Sequence, residues 1–203
     1  MLLDKLDYRL LAGFILAHLL LFFTFQDKDI FWYIFSASLL FLTIWTIWQE
    51  DVDDQLSFGQ YMALGIASGL LIFGLFYTGN MLFKMLGLPF EDNIAKLYDW
   101  FAPSEFWQYI ALILIAAPGE ELFWRGFVQK RLIRSMSPLA SVLISSVMYA
   151  SVNIYSHEFL LVLAALVSGI AWGLLYAWKR SMPLIIVSHL IFDLLLFVFM
   201  PLN

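Results

Sequence analysis

Apolar runs long enough to cross a bilayer recur along almost the whole chain, and they constrain its fold more than any other feature. They cover about residues 10–25, 30–48, 61–86, 106–134, 138–155, 159–178 and 182–200. In hydrocarbon every backbone N–H and C=O must be bonded within the protein, so a spanning segment is a helix or a strand of a closed barrel. The runs are continuous rather than alternating with a period of two, which selects helices. Residues of the AVILMFWYC class make up 63% of the chain and charged residues 13%, against roughly 45–50% and 25% in a soluble domain. So much apolar surface needs lipid as its solvent. The expected fold class is an all-α integral membrane protein with about seven (seven or eight) transmembrane helices, forming one domain over residues 1–203.

Segment 89–105 is different in character. Leu97, Trp100 and Phe101 sit between Lys96, Asp99 and Pro103, a mixture expected of an interfacial piece. An eighth helix hidden between 60 and 105 is the alternative. The first run follows Lys5 and Arg9 and ends without a small-x-small cleavage signal, so it is expected to be retained as a span. With seven spans, Lys5, Arg9, Lys130, Arg131, Arg134, Lys179 and Arg180 fall on one side and Lys28, Lys84 and Lys96 on the other. The excess of basic residues predicts a multi-pass protein of the cell membrane with a cytoplasmic N-terminus. The net charge of −5 offers no basic footprint for nucleic acid. The absence of Cys excludes disulfides, thiolate metal sites and a Cys nucleophile.

Two Gly-x-x-x-Gly patterns, Gly65–Gly69 and Gly169–Gly173, predict close helix packing. His18 stands alone in the first run and is expected to be a hydrogen-bonded structural residue. Asp4, Asp7, Asp51, Asp53 and Asp54 are expected to be simply solvated.

Chemistry concentrates in Pro118-Gly-Glu-Glu-Leu-Phe-Trp-Arg-Gly126. A charge near mid-bilayer costs about 2.5–3.5 kcal/mol on insertion scales, so three such side chains in one apolar helix point to function. Glu121 and Arg125 are four apart with the acid first, the favourable order for an ion pair. Glu120 points about 100° away from Glu121, which leaves it free to face a cavity and separates the two carboxylates by purpose. In the last run His189 and Asp193 also lie four apart on one helix face. They could hold a water, bind a metal or donate to an oxyanion, or simply neutralise one another.

Glu-Glu-x-x-x-Arg on one helix, with His-x-x-x-Asp on the last, resembles the CAAX protease and bacteriocin-processing (Abi) family of intramembrane endopeptidases. The resemblance covers about residues 105–200 as a protease-like core. It implies that Glu120 is the catalytic glutamate, Glu121 and Arg125 its supporting pair, and His189 and Asp193 the groups that stabilise the oxyanion or assist a metal. The family has a further element, an aromatic followed four residues later by His. The matching stretch is Tyr149-Ala-Ser-Val-Asn153, with Asn153 in place of the His. Asn cannot accept a proton, though it can orient a water through its amide. His157 is expected in a connecting loop.

The resemblance implies peptide hydrolysis by a glutamate-activated water, with His189 and Asn153 donating to the oxyanion. The substrate is then a peptide or membrane protein met in membrane lipid. A metallic version uses Glu120, His189 and Asp193 as ligands to a divalent ion such as zinc. The main rival is an impaired pseudoprotease acting as a membrane scaffold or immunity-type protein, which Asn153 favours. A proton-relay carrier lacks a repeat of discontinuous helices, and a rhomboid-like serine protease lacks Gly-x-Ser-Gly.

Overall fold

The computed structural model describes residues 7–202, and among them every regular element is helical. Helix α1 is Tyr8–Thr24, α2 Phe31–Gln49, α3 Phe58–Met85 and α4 Glu91–Phe101. Helix α5 is the unbroken helical run 106–133, α6 Pro138–Val152, α7 Phe159–Lys179 and α8 Met182–Leu194, which continues to Phe199. Five helical stretches are long and apolar enough to cross a membrane: Lys28–Gln49, Phe58–Met85, Pro138–Ser156, Phe159–Lys179 and Met182–Phe199. Helix α1 is apolar but shorter. Helix α5 is as long as α3, but Glu120, Glu121 and Arg125 interrupt its apolar character.

Helix boundaries follow local chemistry. Asp7 caps α1, its carboxylate accepting from the N–H groups of Arg9 and Leu10 at 3.1 Å each, which satisfies donors the first turn cannot. Ser57 and Gln60 form a capping box at α3, and Ser137 before Pro138 opens α6. Helix α4 has 11 residues. At 1.5 Å per residue it reaches about 16 Å, half of what a span needs. It is amphipathic and has no buried residue, and 89–105 therefore holds a helix too short to be an extra span.

Helix α5 is where the backbone departs from regularity. Pro118 has no N–H to give, and its ring crowds the carbonyl four residues earlier. The turn before it, Leu112–Ala116, is a π segment, with the Ala117 N–H reaching back to the Leu112 carbonyl. A second π segment, Leu122–Gln129, follows the two glutamates. Widened turns of this kind recur at functional sites, and here they bracket Glu120 and Glu121.

Helices α3 and α8 pack along the first glycine pair, and α6 and α7 along the second. A Cβ on Gly69 would sit 2.6 Å from the Ser188 carbonyl oxygen, and one on Gly169 would sit 3.1 Å from the Ser146 side chain. His18 has the structural setting expected, its Nδ1 2.9 Å from the Tyr155 hydroxyl and its Nε2 3.2 Å from Ser151 Oγ.

The acidic residues near one end of the bundle are not merely solvated. Asp7 accepts from Arg131 at 2.6 Å. Glu50 binds Arg131 and Arg134 at 3.0 and 2.5 Å. Asp53 accepts from Lys130 at 2.6 Å and from the Tyr176 hydroxyl at 2.7 Å, with Arg180 3.6 Å away. Asp54 accepts from Ser181 at 3.1 Å, and Asp51 stays exposed. Asp4 lies outside the described residues. Partners come from far along the chain, so a local reading could not pair them.

Candidate active site

Glu121 is fully buried on α5 and forms the centre of a polar cluster. Its Oε1 accepts from Arg125 Nη1 at 3.0 Å and lies 2.8 Å from His189 Nδ1, while Oε2 has no hydrogen-bond partner. The ion pair expected from the i,i+4 spacing is present. Arg125 also donates through Nη2 to the Gly169 carbonyl at 3.2 Å, and its guanidinium lies over the rings of Tyr149 and Trp172 at 5.2 and 5.6 Å. A cation in hydrocarbon thus has a carboxylate, a carbonyl and two aromatic faces around it.

His189 is held from three directions. The Trp172 indole stacks on its imidazole with centroids 3.8 Å apart at 25°. The indole N–H donates to Ser188 Oγ at 3.1 Å, and Ser188 is itself bonded to Ser68 at 3.0 Å. With Nδ1 engaged by Glu121, Nε2 is left facing Asp193 Oδ1 at 3.6 Å and Glu120 Oε2 at 3.9 Å. Both separations exceed a direct hydrogen bond, and a water between them would satisfy each group.

Glu120 has no basic ion-pair partner other than this imidazole among the described residues. Its Oε1 accepts from the Tyr149 hydroxyl at 3.1 Å, and its side chain lines a cavity of about 180 Å³. Asn153, His189, Asp193, Tyr149 and Trp172 line the same cavity. That volume exceeds the roughly 10–15 Å³ of probe-occupied space that one water needs. Asn153 ends α6, and its amide Nδ2 donates to the Tyr149 carbonyl at 3.0 Å, leaving its second N–H and its oxygen for the cavity. His157 is exposed in a left-handed turn after Ser156, in the connection where it was expected.

The six residues singled out by sequence are therefore gathered around one imidazole and one cavity. The separation of purpose between Glu120 and Glu121 is less complete than helix geometry alone suggests. The two carboxylates approach the same ring from its two nitrogens. Sequence reasoning missed the Glu121–His189 bond, the Tyr149 hydroxyl on Glu120 and the Trp172 stack. The first joins residues 68 apart in the chain and left no local signal. Tyr149 was visible only as an aromatic in a motif.

Glu120 and Asp193 both face His189 Nε2, at 3.9 and 3.6 Å. Among the described residues no three His, Asp or Glu side chains are placed to hold a metal ion.

Residues 102–195 match the family model described as type II CAAX prenyl endopeptidase Rce1-like. That stretch holds all six of the residues. No curated protein and no solved structure matches the chain.

Proposed function

We propose, taking as premise that residues 102–195 are an Rce1-like segment, that the chain is an intramembrane endopeptidase that splits a peptide bond with a Glu120-activated water. The observation that carries this reading is the division around His189. Glu121 is consumed by Arg125 and Nδ1, while Glu120 faces a cavity large enough for water. The Tyr149 hydroxyl occupies Oε1 and so orients Oε2 toward the imidazole.

In the proposed reaction, Glu120 takes a proton from water as the water oxygen bonds to the scissile carbonyl carbon. The oxyanion that forms accepts from Asn153 Nδ2–H and, when the ring is protonated, from His189 Nε2–H. One such donor is worth about 2.7–4 kcal/mol in comparable sites. Collapse breaks the C–N bond as Glu120 returns its proton to the leaving amine. Asp193 holds the imidazole edge, and Glu121 fixes the ring's tautomer through Nδ1. The proposed reaction routes no step through a metal. The proposed substrate is a peptide or membrane protein presented in lipid. The proposed topology is seven crossings of the cell membrane, with α5 as one of them and the N-terminus in the cytoplasm.

The test is cleavage of a peptide library, prenylated C-terminal peptides included, by purified protein in detergent with and without EDTA. Cleavage by the natural sequence that survives EDTA and disappears in Glu120→Gln is expected. Equal cleavage by Glu120→Gln would remove Glu120 from the chemistry, and loss with EDTA would restore the metallic version. A second reading, an impaired pseudoprotease serving as a scaffold, draws on Asn153: it cannot take up a proton and spends one N–H on its own helix. No cleavage of any peptide by a well-folded sample would favour it.

A further inference from the structure

A second cavity, of about 260 Å³, adjoins the first at the end of the bundle that carries Lys28. Its wall includes Gln26 and Lys28, both exposed to the surroundings, and the indole of Trp100. It is a vestibule with a mixed polar and aromatic lining. The residues it shares with the Glu120 cavity are Phe25, Phe31 and Phe101. Those three rings touch one another pairwise, with centroids 5.6 Å apart for Phe25–Phe31, 5.5 Å for Phe25–Phe101 and 4.9 Å for Phe31–Phe101. A closed triangle of aromatic rings therefore stands between the vestibule and Glu120.

The three rings are not equally anchored. Phe31 is buried on α2 and Phe25 caps the end of α1. Phe101 is the last residue of α4, the helix with no buried residue. That helix is fastened by the Tyr98 hydroxyl bond to the Leu196 carbonyl and by the Lys96–Glu158 ion pair. Phe101 also lines a third cavity, an apolar chamber of about 340 Å³, and among the described residues it is the one that borders all three. The ring that borders the most open space thus sits at the end of the helix with no buried residue.

We infer that Phe25, Phe31 and Phe101 form a plug that controls the passage of water from the Lys28 end to Glu120, with Phe101 as its movable member. This rests on the reading of Glu120 as the water-activating residue. The plug admits water from the Lys28 end when α4 shifts and otherwise blocks that route.

The natural chain has no Cys, so a single introduced thiol reports solvent access without background. Ser168→Cys places a near-isosteric thiol on the Glu120 cavity. Gln26→Cys marks the vestibule, and Ser145→Cys marks a buried site away from the plug. Each is combined with Phe101, Phe101→Leu or Phe101→Ala in proteoliposomes. A charged, membrane-impermeant methanethiosulfonate is then applied to the face on which Gln26→Cys reacts. Losing the contacts of Phe101 with Phe25 and Phe31 corresponds to about a ten- to hundred-fold rise in the open fraction. Labelling at Ser168→Cys should quicken by that factor with Phe101→Ala and by less with Phe101→Leu, while Ser145→Cys stays silent. Unchanged labelling at Ser168→Cys, or equal quickening at Ser145→Cys, overturns the plug. Because labelling needs no substrate, this outcome is independent of whether any peptide is cut.

Discussion

Removing the Arg125 guanidinium would strand Glu121 with 0% exposure, one oxygen already without a partner and the other left to His189 alone. Breaking a buried pair in this way costs about 3–5 kcal/mol, so Arg125→Ala is expected to lower the melting temperature sharply in detergent. Glu120→Gln keeps the shape and the Tyr149 hydrogen bond, and it should melt with the natural protein while losing all hydrolysis. Equal melting losses in both variants would contradict the division between the two glutamates. Asn153 is the more exposed assignment. An imidazole there would add a proton acceptor to the wall of the Glu120 cavity, and acid–base assistance is worth about 10²–10⁴-fold. Asn153→His is expected to raise peptide cleavage by that order over a weak background. No gain on any peptide, in a protein that still folds, would favour the scaffold reading. The pairing of Glu121 with Arg125 was legible because both lie on one helix at i,i+4. The bond to His189 was not, because only the fold brings α8 against α5.

Among the elements, the helices were legible where length and apolarity made them unambiguous. The apolar runs expected to end near Tyr155 and Met200 stop within a residue of those positions, at Ser156 and Phe199. The π segments of α5 were hidden, because a widened turn has no residue code beyond the Pro118 it accommodates. The glycine pairs were legible as packing surfaces, although their partners were not. That packing gives a paired prediction on α3. A methyl on Gly69 would press on a backbone oxygen of α8 that cannot swing away, whereas one on Gly74 meets nothing within 4 Å. Gly69→Ala is expected to destabilise the protein by about 1–3 kcal/mol, the usual cost of overpacking. Gly74→Ala should be neutral or stabilising by up to about 1 kcal/mol, from helix propensity. Thermal melts of the two side by side check this, and matching midpoints would refute the close α3–α8 approach.

For the molecule as a whole, the acid clusters at the Arg131 end set a pH dependence. Burial alone would push the Asp53 carboxyl upward, but the Lys130 and Tyr176 hydrogen bonds, with the charges of Lys130 and Arg180, hold it below its ordinary value. Asp7 is lowered in the same way: burial acts against the shift, and the Arg131 hydrogen bond and charge outweigh it. A carboxyl whose folded value is depressed contributes stability that is in full effect above its unfolded value. That stability is lost as pH falls through that value toward the folded one. Melting temperature is therefore expected to be flat near neutrality and to fall below about pH 4, with Asp53→Asn flattening part of the fall. A melting curve insensitive to acid would contradict the network. These partnerships were illegible in the sequence, where the aspartates look like ordinary loop acids, because the chain separates them from Lys130, Arg131 and Arg180 by many tens of residues. Their placement has a mechanical consequence. The bundle is riveted by several ion pairs at one rim, while at the opposite rim, among the described residues, the Lys96–Glu158 pair, the hydrogen bonds of Tyr98 and Asn80 and soft ring contacts hold the helices. Such a bundle is expected to behave like a clothes peg, stiff at the spring and yielding at the jaws, with amide exchange on gentle warming quickening at the Trp100 rim before the riveted one.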